Sequence, residues 1–280
     1  MLKISLLILN RHCRYYRPNR MKLLLEYNTS HNIRAFSTYR GEGSDNYSGF
    51  NITHYCGDSD EHVAKCRKEL CEQLGINDKS LILPRQTHGK RVAYIDREFT
   101  KLTTSEKTEF LYGIDAIITD LPQTCIGVST ADCIPVLLYD DTKRVVAAVH
   151  AGWRGTVANI ARECISTMQK RNNSQPSDIK AIIGPGISLE SFEVGEEVYE
   201  EFANAGFTMH EIAERFPAEN GEKWHIDLWK ANRIQMTECG IKAENIITAG
   251  ICTYKHHAEF FSARRLGIKS GRIFNGIMLK

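Results

Sequence analysis

The sequence predicts an α+β protein, in which a single domain of mixed β-sheets is covered by helices in a layered α/β/β/α sandwich. Its length of 280 residues suits one sizeable domain. Short runs rich in β-branched residues fill much of the chain, and segments with helical spacing interrupt them without strict strand–helix–strand order. No internal repeat or long polar linker divides the chain, so we expect one cooperative domain.

The predicted strands are short, β-branched and bounded by turn residues, a composition typical of strands. They cover residues 23–27, 35–38, 81–83, 91–95, 115–119, 125–129, 135–139, 145–149, 179–183, 246–249 and 272–278. A polar loop rich in Gly, Ser, Asp and Asn at residues 40–49 follows the second of these strands. Long polar loops of this kind often carry function.

Apolar residues at helical spacing predict helices at residues 59–74, 156–170, 194–203 and 227–239. The first has apolar positions at Val63, Cys66, Leu70 and Leu74, and Gly75 provides its stop signal. We therefore expect amphipathic helices that cover the faces of the sheets.

The N-terminal segment is expected to lie outside the folded domain. Residues 11–20 are basic and aromatic, and Met21 then begins a strand-like segment. We expect residues 1–20 to be an N-terminal extension, either disordered or a start-site artefact, and residues 21–280 to form the domain. The apolar run at residues 4–9 is too short to span a membrane.

The charge balance and the cysteines limit the class of protein. The 36 Lys and Arg residues nearly balance the 34 Asp and Glu residues, which argues against nucleic acid as the main partner. The nine cysteines form no C-x-x-C pair and are odd in number, which favours a reducing environment. We expect a cytoplasmic protein with a small substrate.

A strand that runs into a glycine-containing turn and then a helix is found at HAGWRG, residues 150–155. A helix beginning near Thr156 would direct backbone N–H groups at an anion such as phosphate. Gly152 and Gly155 would allow close approach of the ligand, and Arg154 could donate to it. The alternative is a tight turn in which Trp153 only fills the core.

Two further turns contain metal-binding residue types. Cys133 precedes a buried strand, and His88 lies in a polar turn. Each residue by itself is more typical of the core or of the surface. Together with His150 they form a set of side chains that can bind zinc and leave a fourth position open for water or substrate. Their long spacing matches no local zinc motif, so the residues alone do not decide between these interpretations.

The same residues fall within motifs that run through roughly residues 25–280. These motifs are QTHG, DAIITD, TADCIPVLL, HAGWRG, IGPGI…FEVG, DLWKAN and CTY…FFSARR. The combination resembles the YfiH-like laccase-domain family, also called polyphenol oxidase or peptidoglycan editing factor proteins. The resemblance implies that residues 21–280 are a laccase-domain-like zinc enzyme domain.

Similar proteins are purine nucleoside phosphorylases that act on adenosine, inosine and methylthioadenosine, and some have adenosine deaminase activity. The resemblance implies one zinc ion held by His88, Cys133 and His150, with a purine nucleoside and phosphate as substrates. Two positions depart from the family pattern. The loop that usually reads FSTR has Tyr39 followed by Arg40, and the cysteine pair after GP-x-I is replaced by Glu190 and Ser191.

In this hypothesis phosphate attacks C1′ of the nucleoside while the base leaves. Arg154, Arg264 and Arg40 are the candidates for contact with phosphate, and the substrate-binding set also includes Gly152, Trp153 and Gly155. Asp132 is expected to orient a ligand or to move a proton, whereas Asp115 and Asp120 are expected to satisfy turns.

Three alternatives are less favoured. Cys133 and His150 could form a nucleophilic pair that hydrolyses an amide bond, for example in a peptidoglycan precursor. The chain could instead be a non-catalytic scaffold that binds a nucleoside or a protein partner. A copper oxidase would need several copper sites, and the ten histidines show no repeated H-x-H pattern.

Overall fold

The computed structural model describes residues 23–43 and 45–280. The predicted N-terminal extension, residues 1–20, lies outside the described residues. No helix within residues 23–43 and 45–280 combines the length and the apolar character that crossing a bilayer requires.

Fourteen strands are present in the described part of the chain. They are β1 Leu24–Glu26, β2 Ile33–Thr38, β3 Leu81–Ile82, β4 Val92–Ile95, β5 Ala116–Thr119, β6 Cys125–Thr130, β7 Ile134–Asp140, β8 Val145–Ala151, β9 Lys180–Ile183, β10 Glu193–Val194, β11 Ala213–Ala218, β12 Gly221–Ile226, β13 Ile246–Thr248 and β14 Ile273–Leu279. Every strand predicted from the sequence is found, with ends shifted by two residues at most. The hairpin of β11 and β12 and the short β10 were not predicted.

The helices in the described part of the chain vary in length from about one turn to four turns. They are α1 Asp60–Leu74, α2 Arg97–Lys101, α3 Thr104–Phe110, α4 Trp153–Val157, α5 Ile160–Asn172, α6 Glu196–Asn204, α7 Met209–Ile212, α8 Leu228–Glu238 and α9 Ala263–Leu266. The helices missed from the sequence, α2, α3, α7 and α9, have seven residues or fewer. Such segments are too short for the apolar period to be recognised.

The strands form two large mixed sheets and a small one. The five-stranded sheet has the order β1-β2-β14-β6-β3, and the six-stranded sheet has the order β13-β9-β7-β8-β5-β4. Both contain parallel and antiparallel pairs. The three-stranded sheet β10-β12-β11 is entirely antiparallel. The predicted α+β class is confirmed.

The two large sheets pack face to face, with helices on their outer faces. On β8, Val145, Ala147 and Val149 join the apolar cluster that includes α5 and α8, whereas Val146 and Ala148 join the cluster between the sheets. The alternation follows from the two-residue period of a strand. A third cluster lies between the five-stranded sheet and α1. The predicted α/β/β/α layering is confirmed.

One predicted helix is divided in two. The helix expected at residues 156–170 begins earlier, at Trp153, and is interrupted after Val157. Asn159 lies in the left-handed region, with φ 60° and ψ 39°, and α5 begins at the next residue. Because this conformation cannot continue a right-handed helix, the chain changes direction between α4 and α5.

Replacement of Asn159 tests this break. Alanine at position 159 should lower the free energy of unfolding by about 1 kcal/mol, because a Cβ without a local polar partner disfavours positive φ. Glycine is the matched control and should leave stability nearly unchanged. Chemical denaturation measures both values, and equal stability of the two variants would contradict the left-handed assignment.

Candidate metal centre

The three predicted ligands come together at one end of the six-stranded sheet. His88 lies in the loop between β3 and β4, Cys133 directly precedes β7, and His150 lies near the end of β8. The antiparallel register pairs Ile134 with Ala151, which brings Cys133 close to His150. One ligand atom from each residue lies within 4.8 Å of the other two, so the cluster could hold a metal ion.

The cluster is buried on one side and open on the other. His150 is only 3% exposed, Cys133 is partly buried and His88 is exposed. The two imidazole rings meet edge to face, with centroids 4.8 Å apart and an interplanar angle of 73°. A ligand would therefore approach from the side of His88.

Asp115 organises two of the three ligands. It directly precedes β5 and is fully buried. Its Oδ1 accepts from Nδ1 of His150 at 2.8 Å and from the backbone N–H of His88 at 2.9 Å. Its Oδ2 accepts from the backbone N–H groups of Thr87 and Gly89 at 3.1 and 2.8 Å. Because a carboxylate only accepts, Nδ1 of His150 carries the proton and Nε2 is free to bind a metal.

The charges within the cluster favour a thiolate beside a protonated imidazole when no metal is bound. Burial by itself would raise the pKa of the Cys133 thiol, but His150 and His88 outweigh burial and lower that pKa to about 6. Burial opposes the charged form of His150, but Cys133 and Asp115 together raise its pKa to about 9. A thiolate is the form of cysteine that binds metals and acts as a nucleophile.

Gly152 lies against two of the candidate metal ligands. A Cβ atom at this position would be 2.9 Å from Sγ of Cys133 and 3.3 Å from Cδ2 of His88. A side chain here would therefore push against the ligands. Gly152 is also the residue that precedes α4, so the expectation of a helix that starts after Gly155 was wrong.

Gly155 lies inside α4 and is buried. A Cβ at this position would be 3.2 Å from the carbonyl oxygen of His150 and 3.4 Å from that of Gly89. The glycine thus permits close packing of α4 on the two segments that carry the histidine ligands.

Arg154 and Trp153 occupy the first turn of α4. The guanidinium of Arg154 is stacked on the ring of Trp153, 4.2 Å from its centroid. Arg154 is exposed and Trp153 is half-buried against the apolar cluster. Within the described part of the chain, no hydrogen bond restrains this guanidinium.

Asp132 and Arg264 are connected to each other. Oδ2 of Asp132 accepts from the backbone N–H of Arg264 at 2.7 Å, and Oδ1 accepts from the hydroxyl of Thr253 at 2.6 Å. The guanidinium of Arg264 donates twice to the carbonyl oxygen of Glu193, at 3.1 and 3.0 Å. Asp132 also has a positive φ of 82°. Its carboxylate therefore stabilises the turn before Cys133 and attaches it to the start of α9.

Arg40 is buried and has several partners of its own. Its guanidinium donates to the carbonyl oxygens of Asp45, His257 and Ser48, at 2.7, 3.1 and 3.5 Å. It also lies over the ring of Phe261, 5.1 Å from the centroid. These contacts attach the polar loop at residues 40–49 to the segment that precedes α9.

Sequence reasoning underestimated Asp115 and missed Gln86. Asp115 satisfies a turn, as expected, but it also orients His150. Gln86 donates to the carbonyl oxygen of Ser129 at 2.9 Å and accepts from its N–H at 2.7 Å, which fastens the His88 loop to β6. Both residues lie in motifs already recognised, QTHG and DAIITD, but only their partners across the fold reveal these roles.

Replacement of Asp115 by asparagine tests the clamp. The amide of asparagine has only one acceptor oxygen, so some of the four N–H groups that donate to Asp115 lose their partner. We expect the free energy of unfolding to fall by about 3 kcal/mol. Metal affinity should fall about 10- to 100-fold, because the orientation of His150 is lost. Asp120→Asn is the matched control, since Asp120 is exposed at the other end of β5. Calorimetry and competition with a chromophoric chelator measure the two effects, and a wild-type metal affinity would contradict the role.

Comparison with known proteins shows the family of the chain. Residues 34–280 match the family described as multi-copper polyphenol oxidoreductase laccase. The chain is 48% identical over 250 residues to a purine nucleoside phosphorylase of Bacteroides thetaiotaomicron, which covers 89% of this chain and 92% of the relative. It is 45% identical over 250 residues to adenosine deaminase RL5 of an unknown prokaryotic organism, with coverage of 89% and 94%.

The chain also resembles a solved structure. The hypothetical protein YfiH of Bacillus licheniformis matches with a TM-score of 0.84 and 27% identity, over 95% of this chain and 100% of that chain. The family pattern, the relatives and the fold all agree with the resemblance predicted from the motifs. The chain therefore belongs to the multi-copper polyphenol oxidoreductase laccase family, with YfiH-like proteins as its structural relatives.

Proposed function

We propose that this protein is a zinc-dependent purine nucleoside phosphorylase. It cleaves adenosine, inosine and methylthioadenosine with phosphate, releasing the base and ribose 1-phosphate or methylthioribose 1-phosphate. The observation that carries the proposal is the convergence of His88, Cys133 and His150 within 4.8 Å of one another. The name of the Bacteroides relative supports the choice of reaction.

The donor set suits zinc. Two imidazole nitrogens and one thiolate are preferred zinc donors, and three protein ligands leave a position open for catalysis. Zinc bond lengths require the ligand atoms to be roughly 3.5 Å apart. The three ligand atoms here lie within 4.8 Å of one another, so small side-chain movements would bring them to that separation. When bound, zinc supplies Lewis acidity for a substrate oxygen or a water molecule.

A single ion is favoured over several copper ions. Among residues 23–43 and 45–280, His88, Cys133 and His150 form the one group of three that could hold a metal. A multi-copper centre needs several such groups. The side chains described here therefore support one zinc ion better than the several copper ions named in the description of the family.

The protein's own groups have to hold phosphate and the ribose. Arg154 is the best-placed candidate for phosphate, because its guanidinium is exposed and is stacked on Trp153, whereas Arg40 and Arg264 donate to backbone carbonyls. N–H groups in the first turn of a helix have no intrahelical partner, so those at the start of α4 are further candidate donors in this proposal. Positive charge here binds the phosphate and holds it in position for attack on C1′.

Asp132 acts in this proposal by positioning. Both of its carboxylate oxygens already accept hydrogen bonds, from Thr253 and from the backbone of Arg264. It fixes the position of Cys133 relative to the backbone of Arg264. Trp153 and the two glycines of HAGWRG would complete the wall on which the substrate lies.

Two other reactions each rest on one observation. Adenosine deamination is suggested by the name of the relative RL5. Hydrolysis of an amide bond, as in a peptidoglycan precursor, by a Cys133 nucleophile with His150 as base is suggested by the lowered pKa of Cys133. A non-catalytic binding role would leave all these substrates unchanged.

The decisive measurement is product analysis with zinc-loaded protein. With adenosine and phosphate we expect adenine and ribose 1-phosphate, with no turnover when phosphate is omitted. Chelation of the metal should abolish the reaction, and added zinc should restore it. Inosine formed without phosphate would instead indicate deamination, and unchanged adenosine in both conditions would contradict a nucleoside-processing enzyme.

Two variants separate the metal proposal from the nucleophile alternative. His88→Asn should remove zinc and activity together, because His88 is a ligand but is not required by a Cys133–His150 pair. Cys133→Ser should do the same. If His88→Asn loses the metal and retains activity, the nucleophile alternative is correct.

Arg154→Gln tests the phosphate site. Loss of one charge-assisted contact should lower kcat/KM for phosphate about 10- to 100-fold, mainly through a higher KM for phosphate. The matched control is Arg171→Gln, because Arg171 is stacked in the same way on Tyr94, 4.7 Å from its centroid. An unchanged KM for phosphate in Arg154→Gln would exclude Arg154 from the site.

A further inference from the structure

A second group of reactive side chains lies on α1 and just before it. His62 and Cys66 are four residues apart on α1 and therefore lie on one face of the helix. Nε2 of His62 is 3.5 Å from Sγ of Cys66, and Nδ1 of His62 is 2.8 Å from Oδ2 of Asp58. The thiol thus contacts the imidazole, and the imidazole contacts the carboxylate, as in a catalytic triad.

Asp58 is held in place by neighbours other than the histidine. The buried Asn51 donates to the same Oδ2 at 2.7 Å, and the backbone N–H of Ser59 donates to Oδ1 at 2.7 Å. The Asp58 side chain is only 6% exposed. The carboxylate is therefore fixed by the fold independently of His62.

The order of donors follows from this anchor. An ionised carboxylate only accepts, so Nδ1 of His62 must donate its proton to Asp58. In the neutral imidazole Nε2 is then an acceptor, and it faces the thiol of Cys66. The proton of the thiol thus has a base within reach, and Asp58 stabilises the imidazolium that forms when the proton moves.

The surroundings determine which reagents can reach the thiol. Cys66 is 5% exposed, whereas the side chain of His62, whose Nε2 lies 3.5 Å from Sγ of Cys66, is 31% exposed. Burial raises the pKa of the Cys66 thiol, so the resting group keeps its proton. Reactivity therefore depends on transfer of the proton to His62 during attack, and the low exposure of Cys66 favours small electrophiles.

We propose that Cys66 is a peroxide-reactive modification site, with His62 as its general base and Asp58 as the residue that orients the base. The sulfur attacks one oxygen of a small hydroperoxide, an S–O bond forms and the O–O bond breaks. The thiol proton passes to Nε2 of His62 and from there to the departing oxygen. Cys66 becomes a sulfenic acid, the sulfur loses two electrons, and the peroxide is reduced to water or an alcohol.

This site does not use the metal centre. The groups involved, Asp58, His62 and Cys66, belong to the layer outside the five-stranded sheet, and Cys66 joins the apolar cluster that includes α1. The proposal consequently stands or fails independently of the nucleoside reaction.

The test uses zinc-loaded protein treated with hydrogen peroxide in the presence of dimedone, which traps sulfenic acids. Cleavage after glutamate places Cys66 on its own peptide, residues 62–69, for mass spectrometry. Cys71 is the internal control, because it lies on the same helix and is also 5% exposed. We expect trapping at Cys66 to be at least about tenfold faster than at Cys71, since general-base assistance typically contributes 10²–10⁴-fold.

Two variants identify the cause of the difference. His62→Gln removes the base, and Asp58→Asn leaves the imidazole but removes the group that orients it. Each should slow trapping at Cys66 at least about tenfold while the rate at Cys71 stays constant. Circular dichroism checks that both variants are folded. Equal rates at Cys66 and Cys71 in the wild-type protein, or a wild-type or faster rate at Cys66 in either variant, would overturn the proposal.

Discussion

The buried carboxylate of Asp115 is the point on which the candidate metal centre depends. It accepts hydrogen bonds from three successive N–H groups, those of Thr87, His88 and Gly89, and from Nδ1 of His150. His88 has a positive φ of 63°, a conformation that is uncommon for residues other than glycine. The bonds to Asp115 hold the turn in that conformation, and the same carboxylate sets the direction of the second imidazole.

The sandwich explains why such a cluster can be stable. The alternation of apolar residues on β7 and β8 fills the layers on both sides of the six-stranded sheet, so both faces of these strands are closely packed. Cys133 and His150 lie at those ends, and α4 covers them closely because Gly152 and Gly155 lack side chains. Burial makes the interaction between the thiolate and the imidazole strong, whereas the exposed His88 leaves one side of the cluster open to solvent.

The three arginines selected from the sequence differ in their contacts within the fold. Arg40 and Arg264 donate to backbone carbonyls and connect loops, whereas Arg154 rests on Trp153 at the start of α4. A guanidinium that already satisfies carbonyl groups has fewer donors for phosphate. The phosphorylase proposal therefore relies most on Arg154, and it assigns Asp132 to structural positioning near the metal ligands.

Local patterns in the sequence determined the strands, the long capped helix α1 and the α+β class, and the family resemblance selected His88, Cys133 and His150 as candidate metal ligands. These features depend on the spacing of apolar residues, on turn and cap residues and on short motifs, all of which can be read within a few turns of chain. Only the tertiary structure decided that Asp115 orients His150, that Arg40 is buried among carbonyls, and that α4 and α5 are separate. It also brought Asn51 to Asp58 beside His62 and Cys66. The physical reason is that hydrogen-bond partners and burial are set by contacts between segments far apart in the chain, and local periodicity carries no information about which segments meet.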